Sequence, residues 1–204
     1  EVRQSQREAE ILREKNEALT RADEEKARLL EQLRIQAAEL ERQTREDGLT
    51  GIFNRRHLDN LLAVEWERAV RFSRAMTVAM LDVDHFKQVN DRFSHAAGDE
   101  VLRTVARILR ENTRGVDVVA RYGGEEFCLI LVETRLDEGA QLCERLRARI
   151  EAHDWSEVRP GLAVTVSVGV AGLHEAEAPD TLLAAADVRL YAAKHAGRNR
   201  VCGE

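Results

Sequence analysis

No uninterrupted apolar run of about 18 residues occurs in the 204-residue chain, so the sequence offers no helix long enough to span a membrane. No signal-peptide pattern is visible. A basic excess is also missing. The 31 Lys and Arg residues stand against 37 Asp and Glu, and a net charge of −6 disfavours a non-specific nucleic-acid binder. Cysteine is scarce. Cys128, Cys143 and Cys202 cannot all pair, and their spacing fits no zinc template. Cys128 and Cys143 fall in apolar-periodic runs, as buried thiols of a reducing compartment do, so a cytoplasmic location is expected. Aromatics make up only 4% of the chain and charged residues 33%, and the polar first 45 residues exaggerate both figures. No internal repeat or low-complexity tract is evident. The length suits one domain with a full core plus an extension. The chain begins at Glu1 rather than Met, so it is expected to be a piece of something longer, such as the cytoplasmic end of a sensor.

Residues 1–46 lack proline and glycine and are rich in Glu, Arg, Gln, Ala and Leu, a helix-favouring composition. A 3-4 spacing threads Val2, Ala9, Leu12, Asn16, Leu19, Asp23, Lys26, Leu30, Leu33, Ala37 and Leu40. Asn16 at an a position favours a two-stranded coiled coil in fixed register. Asp23 and Lys26 weaken the seam at its middle. Ile11, Ala18, Ala22 and Leu29 mark a neighbouring stripe, offset by roughly 100° for one residue. Two readings stand: a static dimerisation helix, or two competing seams whose exchange carries a signal. The expected division is a coiled-coil dimerisation and signalling helix at 1–46 and a globular domain at 47–204.

Gly48 and Gly51 break the helix, and Asn54 can cap the next one, expected from Arg55 to Phe72. Thr77 to Leu81 is a continuous apolar run, as in a central strand. It ends in Asp82-Val83-Asp84, with two acids sharing one face of an extended segment. Acids at a strand end are common metal ligands, and the Val83 carbonyl would add an oxygen. Phe93 to Asp99 reads as a turn before a helix from Glu100 to Glu111, with Asp99 placed to cap it or to offset its dipole.

Val116 to Ala120 and Phe127 to Val132 read as strands joined by Gly123-Gly124 in a tight hairpin, whose glycines accept φ > 0. Glu125 and Glu126 put two adjacent charges at its tip. That placement is unhelpful to folding alone, and a divalent cation would make sense of it. A helix (Leu136 to Ile150), a strand (Leu162 to Ala171) and a last helix (Thr181 to Ala193) follow. Lys194 and Arg198 would then be neighbours on a helix stopped by Gly197, compensating its C-terminus or gripping a triphosphate.

Five motifs occur in order: Asp47…Leu49-Thr50-Gly51…Asn54-Arg55-Arg56; Asp82-x-Asp84-x-Phe86-Lys87-x-x-Asn90-Asp91; His95-x-x-Gly98-Asp99; Arg121-Tyr122-Gly123-Gly124-Glu125-Glu126-Phe127; and Lys194-x-x-Gly197-Arg198-Asn199. Together they resemble a diguanylate cyclase domain of the GGDEF type, in its GGEEF form, over about residues 46–202. The resemblance implies an α+β fold, an antiparallel-rich sheet flanked by helices like the palm of nucleotide cyclases and polymerases. It implies that two GTP become cyclic di-GMP and two pyrophosphates across a homodimer, each subunit holding one GTP. Asp82, the Val83 carbonyl and Glu125 would bind Mg²⁺ or Mn²⁺. The backbone of Phe86 and Lys87, with Lys194 and Arg198, would hold phosphates, and Asn90 and Asp99 would read guanine. Glu126 matches the second acid, with deprotonation of the 3′-hydroxyl as one role open to it.

Arg114-Gly115-Val116-Asp117 stands at the spacing of the product-inhibition site of such cyclases, with Arg145 as its accessory arginine. Read without the family, Arg114 and Asp117 would be a surface ion pair. Ser94 departs from the family, which has glycine before His95, so a positive φ there is in doubt. A different reading is a catalytically idle domain that senses cyclic di-GMP or GTP. A third is a coiled-coil unit with an inert domain, which leaves the five motifs unexplained.

Overall fold

The computed structural model describes residues 21, 24–36, 40 and 44–203. The chain divides into two units, 1–44 and 45–204. In the first, residues 24–36 are helical and exposed, and Leu30 and Leu33 lie bare at 56% and 61% exposure. The seam positions Val2 through Leu19, Asp23 and Ala37, and the stripe positions Ile11, Ala18 and Ala22, lie outside the described residues.

The second unit is a mixed α+β fold. Its elements are β1 (Phe53–Asn54), α1 (Arg55–Phe72), β2 (Met76–Val83), α2 (Phe86–Phe93), α3 (His95–Glu111), β3 (Val118–Arg121), β4 (Glu126–Val132), α4 (Leu136–Glu151), β5 (Val166–Gly172), α5 (Pro179–His195) and β6 (Val201–Cys202). The six strands form one sheet in the order β1-β3-β4-β2-β5-β6. The β2–β4, β2–β5 and β3–β4 pairs are antiparallel, and β1–β3 and β5–β6 are parallel. Every residue of β2 is buried, as its unbroken apolar run demands of a central strand.

The period-2 alternation of β2 supplies two cores. Ala79, Leu81 and Val83 pack with α3 (Val101, Leu102, Val105) and α4 (Cys143, Leu146, Ile150) on one face. Met76, Val78 and Met80 pack with α1 (Leu58, Leu62) and α5 (Leu182, Ala186, Leu190) on the other. Helix α5 lies so close to β5 that a Cβ on Gly169 would strike the backbone of Ala186 and Leu190. This packing brings the C-terminal end of α5 towards the end of β2.

Several local expectations need correction. Helix α3 starts at His95, because Ser94 accepts the Ala97 N–H and caps it. Asp99 therefore lies within the helix and is no cap. Strand β3 starts at Val118, after an exposed Val116. Strand β5 starts at Val166, since β2, its partner, ends at Val83 opposite that residue. Helix α5 ends at His195, so Lys194 is helical while Arg198 lies beyond the stop.

Candidate active site

The register of the sheet builds the site. Asp82 stands opposite Glu126 of β4 on one side and Ser167 of β5 on the other. Residues directly opposed in antiparallel strands point to the same face, here the face of α5. Lys194, one residue before the end of α5, reaches down so that its Nζ lies 2.7 Å from Asp82 Oδ2. The Val83 N–H donates to the Glu125 carbonyl at 3.2 Å, which ties the hairpin tip to the strand end.

Asp82 is only 5% exposed. Burial raises its pKa, the Lys194 bond and charge lower it, and the charges of Glu125 and Glu126 raise it again, to about 6. Burial also raises Glu125, against the pull of Lys194 and with the push of Glu126. Two further carboxylates thus press on Asp82 against one ammonium, an excess of negative charge that one divalent cation would suit. No cluster of three His, Cys, Asp or Glu side chains positioned for a metal exists among the described residues. The expected ligand set needs only the Asp82 and Glu125 carboxylates and a carbonyl, and the Val83–Glu125 backbone bond keeps these segments side by side.

The hairpin differs from expectation in its glycines. Neither Gly123 nor Gly124 has positive φ. The Tyr122 and Gly123 N–H groups both donate to the Glu126 carbonyl, at 2.8 and 3.2 Å. The Glu126 carboxylate lies over Gly123, close to where a Cβ would stand, so a side chain at that position would make Glu126 swing aside. Arg121 holds the turn from outside. Its Nη2 donates to the Gly124 carbonyl at 2.7 Å, and its Nη1 donates to both Asp47 oxygens at 3.1 and 3.2 Å. Asp47 also accepts from the N–H and hydroxyl of Thr50. The Arg55 guanidinium stacks 4.3 Å above the Tyr122 ring. The segment entering the domain is therefore bonded directly to the acidic hairpin.

Asp84 shares the neighbourhood of Asp82 but not its chemistry. Its oxygens accept from Thr165 Oγ1 (2.8 Å), Ser167 Oγ (2.7 Å) and the Asn199 N–H (3.0 Å). It fastens β2 to β5 and to the C-terminal loop. Sequence reasoning missed this, and also missed the bond of Arg147 to Asn199, because these partners lie far apart in the chain.

Phe86 packs its ring into the core while Lys87 is exposed, and both belong to the first turn of α2, where N–H groups have no partner within the helix. The Asn90 side chain lies against Gly98, where a Cβ would strike it, so the residue before Asp99 abuts Asn90. Asp99 itself is exposed. Ser94 keeps a φ of 116° despite its side chain. His85, Arg198 and Asn199 also adopt positive φ, as do Ser73 and Glu133 elsewhere in the domain.

Arg114 and Asp117 flank the entry to β3. Their side chains form no ion pair. Asp117 accepts instead from the Arg114 backbone N–H at 2.9 Å and from the Val132 N–H at 3.2 Å. Arg114 is exposed. Arg145 is exposed on α4, and no hydrogen bond or ion pair joins it to Arg114 or Asp117 among the described residues.

The family described as "Diguanylate cyclase, GGDEF domain" matches residues 44–200. The chain is 44% identical over 155 residues to the diguanylate cyclase DgcP of Pseudomonas aeruginosa, covering 76% of this chain and 23% of DgcP. It is 40% identical over 161 residues to the response regulator PleD of Caulobacter vibrioides, covering 78% of this chain and 36% of PleD. The chain thus spans about a quarter to a third of these relatives. Among solved structures, the coiled coil and GGDEF domain of DgcB from Caulobacter crescentus, in complex with c-di-GMP, superposes with a TM-score of 0.80 at 31% identity, covering 87% of this chain and 95% of that one. The active GGEEF domain of a diguanylate cyclase from Vibrio cholerae gives 0.70 at 32% identity, covering 73% and 95%. With the family match spanning most of its length and relatives 40–44% identical over about three quarters of it, the chain belongs to the GGDEF diguanylate cyclase domain family.

Proposed function

We propose that this chain is a diguanylate cyclase that condenses two GTP into cyclic di-GMP and two pyrophosphates. The observation that carries the reading is the gathering of Lys194, Glu125 and Glu126 around the buried Asp82 at the end of β2. Asp82, the Val83 carbonyl and Glu125 would hold Mg²⁺ or Mn²⁺. A bound divalent ion would neutralise phosphate charge and lower the pKa of the attacking hydroxyl.

The chain's own groups supply the rest. The first-turn amides of Phe86 and Lys87 point N–H donors at a phosphate, aided by the helix dipole. Lys194 and Arg198 add cations for the triphosphate, Lys194 exchanging Asp82 for phosphate oxygen. Asn90 and Asp99 read guanine. The Asp99 carboxylate only accepts hydrogen bonds, which suits the N–H donors of the guanine Watson–Crick edge and opposes the acceptor that adenine places there. Glu126 lies beside Asp82, where it can receive the proton of the 3′-hydroxyl.

Each site holds one GTP, so two chains must face each other, and the helix of residues 1–46 would pair them as a coiled coil. The bare Leu30 and Leu33 support this, since an isolated polar helix is marginal without a partner. The exposed Arg114, the carboxylate of Asp117 and Arg145 would bind cyclic di-GMP as an inhibitor. No helix among the described residues is long and apolar enough to cross a membrane, and a cytoplasmic location suits GTP as substrate.

Purified protein incubated with GTP and Mg²⁺ should yield cyclic di-GMP. Binding of either nucleotide without turnover would instead identify an idle sensing module. Arg114→Ala should keep turning over as product accumulates. A variant that stalls as the parent does would remove the inhibitory site from this account.

A further inference from the structure

We infer that Asn199 is a positioning residue for the phosphate grip: it clamps the loop that carries Arg198 onto β2 and α4, and so fixes where the Arg198 guanidinium can meet a triphosphate. The inference rests on the reading of Arg198 as a phosphate ligand.

Gly197, Arg198 and Asn199 have φ of 110°, 61° and 48°. A single glycine suffices to end a helix in the left-handed conformation. The two residues after it gain nothing from termination, and a side chain such as arginine resists that conformation. A loop of this kind persists only where its surroundings over-determine it.

Asn199 supplies the determination with three groups. Its N–H donates to Asp84 Oδ2 at 3.0 Å. Its Oδ1 accepts from Arg147 Nη1 at 2.7 Å. Its Nδ2 donates to Glu151 Oε1 at 2.8 Å. Arg147 is itself immobilised, 14% exposed and bonded to Glu144 and Glu151. Asp84 is fixed by Thr165 and Ser167, two residues beyond Asp82. The Arg198 N–H donates to the Ala193 carbonyl at 3.0 Å, next to Lys194. Arg198 is thus held between an anchor on the acidic strand and an anchor on α4, while its own side chain stays exposed.

The full chain tests this with Asn199→Gly, Arg198→Ala and the double variant. Glycine tolerates the left-handed backbone and keeps the N–H bond to Asp84, so Asn199→Gly removes the two side-chain bonds to α4 and frees the loop. The KM for GTP should rise roughly three- to tenfold in Asn199→Gly, with kcat changed less. Calorimetric affinity for a non-hydrolysable GTP analogue with Mg²⁺ should fall in step, while guanosine affinity stays parental. The double variant should bind GTP no worse than Arg198→Ala, since the clamp acts through that residue. Parental GTP affinity in Asn199→Gly, an equal loss for guanosine, or additive losses in the double variant would overturn the inference. Parental GTP affinity in Arg198→Ala would overturn the phosphate-ligand reading, and the clamp with it.

Discussion

The Lys194 ammonium lies 2.7 Å from Oδ2 of Asp82, yet burial and two further carboxylates still drive the Asp82 proton affinity upward. A carboxyl whose folded pKa exceeds its unfolded value is held against its preference once ionised. Below pH 3.8 the group is protonated in both states and makes no difference. From there to about 6 the folded state binds the extra proton, and stability falls as pH rises. Asp82→Asn should therefore be more stable than the parent at pH 7, by about 1–3 kcal/mol, with the gap closing towards pH 4. Cyclase activity should drop more than a hundredfold. Thermal melts without divalent ions, at both pH values, check the first claim. An Asn variant less stable than the parent at pH 7 would mean that the Lys194 pair outweighs the repulsion.

Ser94 bears a side chain at a φ of 116°, where glycine is at ease. Strain of this kind costs about 1–3 kcal/mol. Replacing a serine cap by glycine loses only a few tenths of a kcal/mol. Ser94→Gly should thus stabilise the domain by about 1 kcal/mol in urea unfolding. No gain, or a loss, would show that the α2–α3 corner has relaxed around the serine.

Arg121 joins Asp47 to the Gly124 carbonyl, and both charged partners are mostly buried. Arg121→Lys keeps the charge and loses the fork, so it should lower turnover at least tenfold while leaving the fold intact. A double-mutant cycle of Arg121→Ala and Asp47→Asn should give a coupling of about 1–2 kcal/mol in unfolding. Additive losses would separate the domain entrance from the hairpin.

Glu175 accepts from Arg189 Nη1 and Nη2 at 2.8 and 2.5 Å and from the Gly172 N–H at 2.7 Å. These bonds, that of Arg189 foremost, hold its pKa down to about 2, against an ordinary 4.5. A depressed acid stabilises above its unfolded pKa and loses that contribution as pH falls through its folded one. The stability gap between parent and Glu175→Gln should be about 1–3 kcal/mol at pH 7 and shrink between pH 4.5 and 2. Denaturant midpoints at pH 7 and 3 measure it. A gap independent of pH would assign the effect to packing.

What the sequence disclosed followed from local signals. The Thr77–Leu81 run announced a buried strand, and the acid that closes it marked the site. The helix from Arg55 to Phe72 is legible from its cap and its apolar stripe. Local signals failed where distant partners decide. Asp84 looked like a twin of Asp82, but hydroxyls from β5 and the loop before it consume its oxygens. Gly123 suggested an unusual φ, whereas its backbone is ordinary and its N–H donates to the Glu126 carbonyl. Ser94 and the small residues after it looked like a turn, and the cap converted them into helix.

The sheet order places β1 and β6 at opposite edges, with the acidic strand between them. The first strand of the domain therefore lies beside the hairpin strands, and β6 lies across the sheet from them. A fluorescent protein fused after the last strand would emerge away from the Asp47–Arg121 junction. Such a fusion would let the domain be tracked in cells while leaving the bonds between Asp47, Arg121 and the hairpin untouched.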